Sequence, residues 1–110
     1  VRRVIVETPY AGEVELNVRY ARACLRDCLM RGEAPFASHL IYTQPGVLDD
    51  LVPHDRDLGI LAGLIWGRHA EVTVVYTDRG ISHGMRIGIA NAVAHNRPVE
   101  YRTLDGWRES

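Results

Sequence analysis

The chain reads as one α/β domain on a parallel sheet with helices on both faces, and three observations predict this. Short β-branched or apolar runs alternate with longer stretches of helical spacing from end to end, the pattern of βαβ units with right-handed crossovers. The 110 residues suffice for one compact core and are too few for two. With 46% hydrophobic and 25% charged residues, the composition is that of an ordinary globular domain.

Each element has its own signal. Val4-Ile5-Val6 is a short buried strand, ended by the loop-forming Thr8-Pro9-Tyr10-Ala11-Gly12. From Glu13 to about Arg31, Val14, Leu16, Val18, Ala21, Leu25 and Leu29 fall mostly three or four apart, which predicts an amphipathic helix stopped by Gly32. Ala34 to His39 reads as a second strand. Tyr42 to His54, with Pro45, Gly46 and Pro53, reads as a long loop with room for one helical turn. Helical spacing returns from Asp55 to Arg68, interrupted by Gly59, Gly63 and Gly67, a smooth stripe suited to close packing or to a ligand. Glu71 to Tyr76 is the strongest strand, followed by a turn at Thr77 to Gly80 and a helix from Ser82 to about Asn96. Pro98 to Tyr101 is a last strand, and a polar tail carries Trp107. The sheet is expected to have four to five strands, with the domain spanning residues 1–104 and a tail at 105–110.

Composition closes several functions. Thirteen basic against fourteen acidic residues leave a net charge of -1, so neither a DNA or RNA polymer nor an anionic membrane is an expected partner. No apolar run approaches the ~20 residues of a membrane span, and the N-terminal apolar run is too short for a signal peptide, so a cytoplasmic location is expected. All thirteen basic residues are arginine, which removes the lysine needed by Schiff-base chemistry and the Walker loop. The bias fits a GC-rich genome, bacterial or phage. Cys24 and Cys28, four apart on one helix face, read as small buried residues. The histidines lack metal-ligand spacing with one another, and no metal is expected.

In open α/β sheets ligands bind beyond the carboxyl ends of the strands, which directs attention to three loops. Gly80-Ile81-Ser82-His83-Gly84-Met85 joins the best strand to a helix, where backbone N–H groups, the Ser82 hydroxyl and the small Gly84 could hold a phosphate. Asp78 precedes it, and Arg79 and Arg86 could neutralise phosphate charge. At the first loop, one glycine stands where the dinucleotide fingerprint needs three, but Tyr10 could stack on a base or ribose. His39, after the second strand, would face the same cleft. Asp49, Asp50, Asp55 and Asp57 form an acidic cluster at a helix start, where acids serve as caps.

Taken together, Thr8-Pro9-Tyr10-Ala11-Gly12, Pro35-Phe36-Ala37-Ser38-His39-Leu40 with Tyr42-Thr43-Gln44, Gly80 to Met85 and Pro98-Val99-Glu100-Tyr101-Arg102 resemble the nucleoside 2-deoxyribosyltransferase-like superfamily, particularly its small phage and bacterial domains of unknown function. The resemblance spans nearly the whole chain. It implies a three-layer flavodoxin/Rossmann-like fold, homo-oligomers, a small nucleoside or nucleotide partner and no cofactor. It further implies a ligand site drawn from Thr8, Tyr10, Gly12, His39, Asp78, Gly80, Ser82, Gly84 and Met85. Enzymes of the superfamily cleave the N-glycosidic bond of 2′-deoxynucleosides or their 5′-monophosphates through a glutamate nucleophile. The position of that glutamate, three residues beyond the methionine, is Gly88 here, and the position of the acid is Gly63.

Two readings follow. In the first, the chain binds a nucleotide or nucleoside phosphate with little or no glycosidase activity, as a phage protein sequestering a nucleotide signal would. In the second, it is an active hydrolase or transferase with a relocated catalytic carboxylate, for which Glu7 and Asp78 are the candidates because both stand at strand ends.

Overall fold

A computed structural model describes residues 1–108, and in it the chain runs β1 (Arg3–Glu7), α1 (Val14–Met30), β2 (Ala34–Phe36), α2 (Ser38–Ile41), α3 (Pro53–Gly67), β3 (Val72–Tyr76), α4 (His83–Ala94) and β4 (Val99–Arg102). All pairings are parallel, and the sheet order is β2-β1-β3-β4. This is the flavodoxin-like order, in which the chain reverses direction across the sheet between β2 and β3.

Side-chain alternation sorts the sheet into two faces. Val4 and Val6 of β1 and Val72, Val74 and Tyr76 of β3 pack with Tyr20, Cys24 and Cys28 of α1 in the core. Cys24 and Cys28 are buried free thiols there, as their spacing predicts. The intervening residues Ile5 and Glu7 face the opposite way, toward α3 and α4, where they line a cavity.

Local chemistry explains the helix ends. α1 buries Asn17, Tyr20, Ala21, Cys24 and Cys28, three to four residues apart apart from one adjacent pair. Its last turn closes through Glu33 N–H donating to Cys28 O at 3.0 Å and Gly32 N–H to Leu29 O at 3.0 Å, with Gly32 at φ +81°, a Schellman motif. Pro53 begins α3, where its missing N–H costs nothing. Ser82 caps α4, its hydroxyl accepting from Met85 N–H at 3.3 Å. At the other end of α4, Asn96 adopts φ +56° and Arg97 N–H donates to Ala92 O at 2.8 Å. That turn brings the Arg97 side chain back beneath α4.

Three expectations need correction. The second strand stops at Phe36, and His39 lies on α2, because the still-extended Ala37 is the N-cap of a helical turn that Ser38 opens. The helical turn anticipated within Tyr42 to His54 comes earlier, at Ser38–Ile41. Within the described part of the tail, the Trp107 ring packs 4.9 Å from Tyr20, so burial of two aromatic surfaces overrides the polar sequence around it. Residues 109 and 110 of the expected tail lie outside the described residues.

Candidate functional site

Between the sheet face carrying Glu7 and the helices α3 and α4 lies a cavity of about 180 Å³. Glycine makes the room for it. Gly63 and Gly67 of α3 and Gly84 and Gly88 of α4 all line the space, while Gly59, the first glycine of the stripe in the sequence, does not. A Cβ added at Gly63 would stand 2.8 Å from the Ser38 Cβ and closer still to its hydroxyl.

The tightest of these relations is at Gly88. A Cβ there would lie 2.5 Å from the Glu7 carboxyl carbon and 2.9 Å from Oε1, with Oε2 nearer yet. The Glu7 carboxyl therefore fills the space that a side chain at position 88 would claim. Apart from its opening to the cavity, this carboxyl is surrounded by protein, and burial pushes its pKa up to about 8 against the opposing pull of Arg97.

Next to Glu7 in the chain, the buried Thr8 shares a 2.6 Å hydrogen bond between its hydroxyl and His39 Nε2. Burial pushes the His39 imidazole down to about 4, so the ring is neutral at pH 7. Tyr10 meets His39 edge-on, with ring centroids 6.4 Å apart. Ser82, His83, Gly84 and Met85 bring the N-terminus of α4 to the cavity. Opposite them stands Arg56, whose Nη2 would be 3.8 Å from a Cβ at Gly84 and whose Nη1 is paired with Asp50 at 2.9 Å. Arg97 lies against Gly67 and lines the cavity from within.

The structure thus brings Glu7, Thr8, Tyr10, His39, Ser82, Gly84 and Met85 together. Asp78 is elsewhere: its carboxylate accepts from the Tyr20 hydroxyl at 2.5 Å and from Leu104 N–H at 3.0 and 3.2 Å, and it does not line the cavity. The alternation explains this, since Asp78 continues the parity of Val72, Val74 and Tyr76 toward α1, whereas Glu7 continues that of Ile5 away from it. Gly12 and Gly80 also lie outside the cavity wall and serve as turn residues at φ +97° and +84°. Arg79 turns toward α1, donating to Asn17 Oδ1 at 2.8 Å, and Arg86 is exposed outside the cavity wall. Their place at the cavity is taken by Arg56 and Arg97, for which the sequence held only weak signals. Arg56 follows the acidic loop at a helix start, and Arg97 precedes Pro98 without any local mark of burial. Of the acidic cluster, Asp55 accepts from Asp49 N–H at 2.9 Å and Asp50 pairs with Arg56, so these acids shape the loop at the mouth. Among the described residues, no three His, Cys, Asp or Glu side chains are grouped to hold a metal ion. No described helix is long and apolar enough to cross a membrane.

A model of a domain of unknown function, DUF7768, matches residues 2–102. No curated protein matches the chain. Among solved structures, a 2-deoxyribosyltransferase from the psychrotolerant bacterium Bacillus psychrosaccharolyticus is similar with a TM-score of 0.64 and 18% identity, over 96% of this chain and 75% of that one. At that identity the likeness establishes a deoxyribosyltransferase-like fold.

Proposed function

The chain belongs to the DUF7768 family of domains of unknown function, and from that premise we propose that it cleaves the N-glycosidic bond of a 2′-deoxynucleoside or its 5′-monophosphate, with Glu7 as the relocated nucleophile. The observation that carries this reading is the Glu7 carboxyl in the space vacated at Gly88. In its ionised form Glu7 attacks the anomeric carbon. The bond from that carbon to the base nitrogen breaks, its electron pair leaves on the base, and the base takes a proton from water at the open mouth. Water then hydrolyses the sugar ester and frees Glu7. A cavity of about 180 Å³ is smaller than the roughly 300–1,000 Å³ of drug-sized pockets, which suits a single sugar ring inside with base and phosphate toward the mouth. Ser82, Gly84 and the N-terminus of α4, facing Arg56, would receive the 5′-phosphate, and Tyr10 would contact the base.

One observation favours binding without turnover, as in a protein that sequesters a nucleotide: a carboxyl held near 8 is mostly protonated at pH 7 and a poor nucleophile there. Titration calorimetry against nucleosides, mononucleotides and cyclic nucleotides, followed by chromatography of each mixture, separates the two. Free base released by the natural chain and by Asp78→Asn, and abolished by Glu7→Gln, supports the glycosidase. Ligand bound and recovered whole at pH 7 and pH 9 overturns it in favour of sequestration.

We also propose that the chain works as a homo-oligomer through α3. This helix is apolar around most of its circumference, yet among its residues Leu58, Leu61, Ile65 and Trp66 are exposed large hydrophobics. Light scattering of the natural chain and of Leu61→Glu tests this; a natural chain that runs as a monomer at tens of micromolar sinks it.

A further inference from the structure

Arg97 is a buried guanidinium whose hydrogen bonds all go to neutral acceptors. Nε donates to the Thr73 hydroxyl at 2.9 Å, Nη1 to Gly67 O at 2.9 Å and Nη2 to Asn91 Oδ1 at 3.1 Å. It is 9% exposed and, among the described residues, has no carboxylate within ion-pair distance. An arginine so placed is costly, because its charge is desolvated without a direct counter-charge. The three acceptors come from β3, the end of α3 and α4, so the guanidinium plane is fixed by three separate elements at the wall of the cavity that holds Glu7.

We propose that Arg97 is a positioning residue acting through Glu7: a cation fixed in the cavity wall, left without a partner of its own, whose field favours the ionised and reactive form of the Glu7 carboxyl. The inference rests on the reading of Glu7 as the nucleophile. Arg97 and Glu7 are the charged groups whose fields act on one another, and Arg97 opposes the burial that raises Glu7. The other titratable groups facing the cavity do not supply this field. Asp50 and Arg56 neutralise each other, His39 is uncharged, Tyr10 meets the His39 ring edge-on, and His83 stands exposed at the mouth on the first turn of α4. With a partner carboxylate, Arg97 would be a structural ion pair; with neutral acceptors, its charge is left to act across the cavity.

The test is the titration of Glu7 itself, read by carbon NMR of the chain labelled at its glutamate carboxyls and assigned by the signal lost in Glu7→Gln. In Arg97→Met the midpoint of Glu7 rises by about one pH unit or more. In Arg97→Lys, which keeps the charge, it stays near its natural value. Asn91→Asp, which gives Arg97 a carboxylate partner and retains the guanidinium, raises the midpoint as well. An unmoved Glu7 midpoint in a folded Arg97→Met overturns the proposal. Should that variant fail to fold, an unmoved midpoint in Asn91→Asp overturns it in the same way. No ligand is needed, so absence of base release by the natural chain would remove the nucleophile reading while leaving the effect of Arg97 on Glu7 to be decided by its own measurement.

Discussion

The two faces of the sheet treat buried charge in opposite ways. On the α1 side the buried charged groups meet matched partners, although the Trp107 indole N–H there is buried without an acceptor. Arg102 makes paired hydrogen bonds to Glu33 at 2.8 and 2.7 Å, Arg2 reaches Glu33 and Glu100 at 2.7 and 2.8 Å, and the Tyr76 hydroxyl donates to Asp27 at 2.7 Å. Asp78 belongs to this side, closed in a ring with Tyr20. On the α3 and α4 side, Glu7 and Arg97 are enclosed ionisable groups without direct counter-ions, and His39 is a titratable ring held neutral. Matched groups lock a fold, whereas groups whose titration is displaced without a partner are the kind that functional sites concentrate.

The contrast can be broken most severely at Glu7. Glu7→Gln lowers base release by three powers of ten or more, and in the natural chain release climbs with pH through about 8 as the carboxyl ionises. The same change alters stability with a defined sign. Because the folded-state value lies above the ordinary carboxyl value near 4.3, the natural chain loses stability as pH rises through about 8, and Glu7→Gln removes that slope. Urea unfolding at pH 5 and pH 9 reads the difference, expected to reach a few kcal/mol.

On the matched side the largest effect is on folding alone. Glu33→Gln leaves the buried Arg102 with Glu100, at 3.1 Å, as its counter-charge and costs about 1.5–3 kcal/mol in urea unfolding, while base release by the fraction that folds is unaltered. Gly88→Ala comes next, costing about 1–3 kcal/mol because the new methyl collides with the Glu7 carboxyl. In a Glu7→Ala background that cost shrinks, and equal costs in the two backgrounds would refute the shared space. Arg3→Met, at an exposed pair with Glu71 at 3.2 Å, changes stability by less than ~1 kcal/mol, which sets the floor for the comparison.

Most of the sheet and its helices were legible because their signals are local: the β-branched run before Tyr76, the spacing of α1, the Ser82 cap. The short α2 was hidden because Pro35-Phe36-Ala37 suits either an extended or a turning chain, and contact with α3 decides. Of the candidate site, the elements carrying Glu7, Tyr10 and Ser82 were readable from loop position. The choice between Glu7 and Asp78 was also within reach, since two-residue alternation puts Val6 and Tyr76 in the core and so sends Glu7 and Asp78 to opposite faces. Arg97 was not, because its burial depends on acceptors from three elements distant in the chain.

The exclusion between Glu7 and any side chain at position 88 also constrains ancestry. The two arrangements, carboxylate on the helix or carboxylate on the strand, compete for one space, and a side chain at position 88 requires the Glu7 carboxyl to move. A lineage passing from one to the other through a form that has neither keeps the pocket and loses the carboxylate proposed as nucleophile. Inert binders and working enzymes would then be neighbours on one mutational path, and a family tree of these domains should interleave them rather than divide them into two clades.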